Sequence, residues 1–346
     1  MTQLAMTNAE RHAALERFGY SEREACFLCL AGLHGGYFLR RQYAAFLGGQ
    51  DGGNVTQLIE KALDLGHAEA ATYKANTHVY HLSARRFYAA LGQQDNRNRR
   101  RKELLTIKSK LMGLDFVLFH QNNEYLATDQ EKRSFFRETF HVESGELPAK
   151  HYASHGLLTH RHFVEKYPIF YSPSARAACP PVVSFCFVDP GLAGVSGFET
   201  FLSRYAGLFI YLPEFCAIYV ATSDALFSKA QNTFERLRTT GWAALNGADY
   251  NGQIDKLLEY FEARRLFEGK QFTSFDRAKL IRFRDQQEAY SRPKVDALYQ
   301  RWKAGGDITS LSNSSPKQGL EPNHSGHFST CLLKQTYDFF GNIAGH

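Results

Sequence analysis

The chain predicts a mixed fold of the α+β or α/β class. A winged helix-turn-helix stands first, an α/β domain follows it, and helices come towards the carboxyl end. Over residues 21–91 the apolar positions recur at helical spacing three times, then switch to the two-residue period of a strand hairpin. Residues 182–189 (VVSFCFVD) and 215–221 (FCAIYVA) are nearly all apolar, as strands buried on both faces are. Each is followed by a helical pattern, the order of a parallel crossover. The charge is lopsided: residues 1–110 hold 16 Lys and Arg against 10 Asp and Glu, and the remainder holds 25 of each.

The first helix is expected over residues 22–33 (EREACFLCLAGL), with Ala25, Cys26, Leu28, Cys29 and Leu33 in phase. His34-Gly35-Gly36 ends it, because glycine accepts a left-handed cap. Tyr37-Phe38-Leu39 is a short extended link. Residues 40–47 (RRQYAAFL) form the second helix, stopped by Gly48-Gly49, and Asp51-Gly52-Gly53 turn into the third. That helix, residues 54–65 (NVTQLIEKALDL), points Val55, Leu58, Ile59, Ala62 and Leu65 inward, and Gly66 terminates it. Strands at 71–73 and 77–81 meet at Lys74-Ala75-Asn76, and Ser83 caps a fourth helix over 84–91. Three helices, a hairpin and a helix is the winged-helix order.

A compact domain carrying the excess cations suits a phosphate backbone, so double-stranded DNA is the first partner expected. In such modules the third helix enters the major groove. Asn54, Thr56, Gln57 and Lys61 are its candidate reading residues, since Asn and Gln pair with an adenine edge and Lys reaches guanine. Arg40 and Arg41 open the second helix, where phosphate contacts fall. Lys74 and His78 stand on the wing. Arg97, Arg99, Arg100 and Arg101, in the run NRNRRRK, are either a phosphate clamp or a solvated linker.

Residues 102–119 read as a long amphipathic helix packing on the next domain or on a twin subunit. A homodimer is expected, because a twofold protein matches a palindromic site. A short strand at 125–127 precedes a helix over 129–136, capped by Thr128. Beyond it come a strand at 168–172, the strand at 182–189, a helix at 198–210, the strand at 215–221 and a helix at 224–237. Residues 253–267 and 276–302 read as charged helices, 305–327 as a flexible Gly/Ser/Pro/Asn-rich stretch, and 328–340 as a short terminal helix. The expected division is 1–95 for DNA binding, 96–140 for a basic linker and connecting helices, 141–240 for the α/β domain, 241–304 for helices and 305–346 for a flexible tail.

No apolar run reaches the roughly 18 residues that span a bilayer, and the start lacks the apolar core of a signal peptide. Six cysteines lie mostly in apolar strings, so a reduced, cytoplasmic protein is expected. Cys26-Phe27-Leu28-Cys29 is a CxxC without a second ligand pair, which favours core packing over zinc or redox chemistry. His151, His155, His160 and His162 cluster in a segment of loop character without a fixed acidic or Cys ligand. GLAGVSG at 191–197 lacks the Lys-Ser/Thr of a phosphate cradle. No metal and no cofactor is expected.

The passage YHLSARRFYAAL and the block VVSFCFVDPG…FETFLSRYAGLF…CAIYVATSDALFSKA resemble the replication–relaxation family of bacterial mobile elements. The resemblance covers roughly residues 20–238. Members join a winged helix to a domain shaped like a PD-(D/E)XK nuclease, which implies a plasmid or mobile-element setting. That nuclease needs an acid after one strand and acid-x-Lys on the next to hold a metal and activate water. Here one strand ends in Ser172-Pro173. The other offers only Asp189, which precedes Pro190-Gly191 as a turn residue does. A non-enzymatic regulator or replication accessory with a degenerate nuclease-like scaffold is therefore the expectation. The alternatives are an active nuclease, drawing Asp115 or Glu199 to Asp189, and a protein-interaction subunit of a larger complex.

Overall fold

The computed structural model describes residues 6–49, 52–154, 157–163, 167–172, 180–191, 194–242, 245, 254–272, 275–290, 293–305 and 326–340. Its amino-terminal module runs α1 (Asn8–Glu16), α2 (Glu22–His34), β1 (Tyr37–Leu39), α3 (Arg40–Phe46), α4 (Gly53–Asp64), β2 (Ala68–Thr72), β3 (His78–Leu82) and α5 (Arg85–Ala90). Capping boxes Thr7/Glu10 and Ser21/Glu24 start α1 and α2, satisfying backbone donors that a helix start leaves open. Gly36, after α2, sits at φ +77°, and a Cβ there would stand 2.7 Å from the Tyr88 hydroxyl. Only glycine fits that turn.

The three strands form an antiparallel sheet in the order β1-β3-β2. Its alternation divides the side chains. Phe38, Tyr80 and Leu82 join the core of the helices, with Phe27, Leu28, Val55, Leu58 and Ile59. Tyr37, Leu39 and Val79 point the other way, into a second core. The expected hairpin is longer than its sequence pattern suggested, because Ala68 and Glu69 pair with Leu82 and His81. Ser83 is not a helix cap. Its hydroxyl donates to Glu69 at 2.8 Å, and α5 starts after Ala84 without a side-chain cap.

Next comes α6 (Leu104–Phe119), buried almost continuously from Leu111 to Leu118. A helix apolar all round has to lie inside, and this one is the partition of the molecule. Leu111, Met112 and Phe116 pack with Tyr37, Leu39 and Val79 of the small sheet, and with Phe170, Cys186, Val188 and Val220 of a larger one.

The larger sheet is built from β4 (Glu124–Tyr125), β7 (Ile169–Ser172), β8 (Val182–Val188), β9 (Phe215–Ala221) and β10 (His327–Leu332), in the order β10-β9-β8-β7-β4. The β4–β7 and β7–β8 pairs are antiparallel; β8–β9 and β9–β10 are parallel. Between β4 and β7 lie α7 (Asp129–Phe140) and the hairpin β5 (Ala149–Ser154) and β6 (Leu157–His162). Between β8 and β9 runs α8 (Gly194–Phe209), and α9 (Phe227–Thr240) follows β9. One sheet face presents Phe185, Phe187, Phe215 and Tyr219 to Phe136, Phe198, Phe201, Tyr205, Phe209 and Phe234, an aromatic core. With α6 on the opposite face, β8 and β9 are buried on both sides, which is why their sequences carry so little polar alternation. Helices α10 (Ile254–Glu268), α11 (Arg277–Ala289) and α12 (Pro293–Lys303) close their own cluster around Tyr260, Phe261, Phe283 and Tyr299.

The structure differs from the sequence expectation at four further places. Residues 276–302 are two helices, with Pro293 opening the second, because proline suits a helix start and not an interior. Residues 328–340 are not a helix. Phe328, Thr330 and Cys331 belong to β10, which pairs in parallel with β9 from His327↔Cys216 to Leu332↔Ala221. Leu333, Tyr337 and Phe340 are then buried, so this part of the expected tail is built into the fold, whereas 306–325 lies outside the described residues. The segment of His151, His160 and His162 is the β5–β6 hairpin rather than a loop; His155 lies outside the described residues. Gly194 and Gly197 belong to α8. Among the described residues no helix is long and apolar enough to cross a membrane.

Candidate nucleic-acid interface

Helix α4 buries Val55, Leu58, Ile59 and Ala62 and exposes Asn54, Gln57, Glu60 and Asp64. Its outer face is therefore solvated, and it is divided by charge. Two neutral amides occupy the amino-terminal half and two carboxylates the carboxyl-terminal half. The N-cap is Gly52, so the N-cap residue itself brings no side-chain acceptor to the first-turn N–H groups beside Asn54. An anion is favoured at that end by these donors and by the helix dipole, and is repelled by Glu60 and Asp64 at the other.

The remaining expected contacts fall into two groups. Several are committed to the fold. The Lys61 ammonium donates to Glu24 at 2.6 Å and to the Gly19 carbonyl at 3.0 Å, clamping α4 onto α2. The Arg41 guanidinium makes a two-pronged pair with Asp115 of α6, both contacts at 2.8 Å. Tyr337 donates to the same carboxylate, and its ring centroid lies 5.3 Å from the guanidinium. Arg40 donates to the Thr56 hydroxyl at 2.9 Å, pinning α3 to α4. Lys61 and Arg41 thus hold the module together, and we do not assign DNA contacts to them.

Others face solvent. Lys74 and His78 are exposed on the β2–β3 hairpin, with His78 Nδ1 3.1 Å from the Thr72 hydroxyl. Beside them Tyr73 packs its ring on Phe339 and Phe340, so the wing rests on the carboxyl-terminal segment.

The run NRNRRRK is not a loose linker. Arg97–Arg99 form a short 3-10 turn, and the buried Asn98 anchors it. The Asn98 amide donates to the Gly32 carbonyl at 3.0 Å, its Oδ1 accepts from Lys110 at 3.0 Å, and its carbonyl lies 2.7 Å from His81 Nε2. Arg99 donates to the Gln94 carbonyl at 3.0 Å. Arg101 is exposed and pairs with Glu69 at 2.8 Å, and Arg100 is exposed. An amide inside a run of cations was the one sequence signal for this anchor. Asp115 and Tyr337 were visible only as a lone acid in an apolar helix and a tyrosine in an expected tail.

The acids considered for metal chemistry do not converge. Asp189 is buried, and its carboxylate accepts from the Gly191 N–H at 2.8 Å and from the Tyr219 hydroxyl, which makes it a turn residue at the end of β8. Asp115 belongs to the Arg41 pair, and Glu199 pairs with Arg236 at 2.8 Å. Among the described residues no group of three His, Cys, Asp or Glu is placed to hold a metal. Burial pushes the Cys29 thiol up to about 12 and raises that of Cys26, so neither supplies a thiolate near neutral pH. Compared with protein families, with curated proteins and with solved structures, the chain finds no match.

Proposed function

We propose that the amino-terminal module is a winged helix that reads duplex DNA through the first half of α4. On this reading the chain is a non-enzymatic, sequence-specific DNA-binding protein, a transcriptional regulator or replication accessory of a mobile element. The observation that carries the reading is the exposed pair Asn54 and Gln57 in the first half of α4. Recognition helices of this class contact base edges with their amino-terminal residues, and these are the two residue types that bind adenine in two-pronged fashion. The helix–strand–helix–helix–strand–strand order and the surplus of cations in residues 1–110 support it.

The larger sheet supports the resemblance to a nuclease-like scaffold through its order: three antiparallel strands, a helix, then a parallel strand. With Asp189 occupied by Gly191 and Tyr219, we read this part as a scaffold for partner binding or for pairing two copies of the chain.

The test is the affinity of a Gln57→Ala protein for the duplex that the wild type binds most tightly. A loss of about 1–3 kcal/mol is expected for one two-pronged contact, about 5- to 150-fold in Kd, with an unchanged melting temperature because Gln57 is exposed. An Asn54→Ala/Gln57→Ala protein that bound like wild type would end the assignment. Plasmid cleavage with magnesium or manganese, abolished by Asp189→Asn, would overturn the non-enzymatic part.

A further inference from the structure

The connection between α5 and α6 forms one wall of a cleft of about 650 Å³. A second wall is the start of α6, where Thr106 and Lys110 share one helix face at a four-residue interval, together with Lys102 just before the helix. The third is Thr128 and Asp129 at the amino-terminal end of α7. The volume lies within the range of about 300–1,000 Å³ typical of small-ligand sites. The walls are fixed in place, because Asn98 is bonded at once to α2, to β3 and to Lys110.

The cleft gathers positive charge. Burial, and after it the neighbouring cations Arg97 and Arg100, lower the pKa of Lys102. Lys110 adds a further ammonium to the same wall and donates to Asn98 Oδ1 at 3.0 Å. Among the described residues two carboxylates border the site, and each has another role. The Asp95 side chain is 85% exposed and lies 4.0 Å from Arg85. Asp129 is the first residue of α7, where it complements the helix dipole. An anion seated between Lys102 and Arg97 would relieve the repulsion between them, with the exposed Thr106 hydroxyl as a further donor.

We propose that this cleft binds a phosphorylated small molecule of mononucleotide size, as a site separate from α4. Phosphate is the chemistry that clustered Lys and Arg with a hydroxyl recognise. A duplex backbone is the poorer occupant. Lys102 and Lys110 are half-buried inside a concave site, whereas the exposed Arg100 and Arg101 are the cations that a stiff rod can reach.

The experiment is isothermal titration of the full chain with ATP, GTP, AMP and inorganic pyrophosphate. At least one should bind saturably at one site per chain. Lys102→Gln should weaken that binding tenfold or more without shifting the melting temperature. Thr106→Glu should do the same, since it sets a carboxylate against the anion at an exposed first-turn position where Glu suits the helix. Absence of saturable binding by all four probes would overturn the proposal, as would binding unaffected by both substitutions. Loss of duplex affinity in Lys102→Gln, with no small phosphate bound, would name the DNA backbone as occupant and also overturn it. The α4 variants leave this readout untouched, so the two readings fail separately.

Discussion

His34 ends α2, where the helix dipole favours a protonated imidazole. Burial outweighs the dipole. Together with the nearby Lys132 and Lys110 it pushes the His34 pKa down to about 3. His67, its Nδ1 2.9 Å from the Tyr20 hydroxyl, is pushed down to about 4 by burial and by Arg86. Both are neutral in the folded chain, whereas in the unfolded chain they take up protons near pH 6.5. The stability they contribute is complete above that pH and is lost as the pH falls towards 4 and 3. Urea denaturation should therefore give a free energy to which these two histidines add no slope above pH 7. Below about 6.5 it should fall, each histidine contributing about 1.4 kcal/mol per pH unit. His34→Gln should remove its share of that slope; an unchanged slope would show that His34 is not the titrating group. Single residues were the least legible level of the sequence. Spacing placed Lys61 and Arg41 at polar helix positions, but their partners Glu24 and Asp115 lie 37 and 74 residues away. A local pattern says which way a side chain points and not what waits for it.

Between elements, Arg41 with Asp115 and Tyr337 fastens α3, α6 and the carboxyl-terminal segment to one carboxylate. The Asp115 side chain is 3% exposed and that of Arg41 37%, so removing the arginine strands a buried charge. Arg41→Ala should lower unfolding stability by about 3 kcal/mol, the low end for a broken buried pair because Arg41 is partly hydrated. A change within about 0.5 kcal/mol, as exposed sites give, would show that the pair is not structural. Elements themselves were largely legible. The helices α2, α3 and α4 and the strands β8 and β9 stand within one or two residues of their sequence patterns, because caps, glycines and apolar periods are local signals. Elements defined by a distant partner were not. The His327–Leu332 strand exists because β9 offers it an open edge, and nothing within 328–340 announces that neighbour.

In the whole molecule, α6 separates a small basic module from a large aromatic sheet, and the two share the core around Leu111 and Phe116. That arrangement covers one face of the small sheet and leaves the outer face of α4 open. The charge imbalance that pointed to a phosphate-rich partner was legible from composition alone. Which cations remain outward was not, since Lys61 and Arg41 turned inward to carboxylates. The most direct measurement is selection of bound duplexes from a random pool at near-physiological salt, run with wild type and with Asn54→Ala/Gln57→Ala. The account predicts that the wild type enriches one sequence motif and that the double variant loses it while still binding DNA weakly and with strong salt dependence. Wild type enriching no motif, or the double variant enriching the same one, would contradict it.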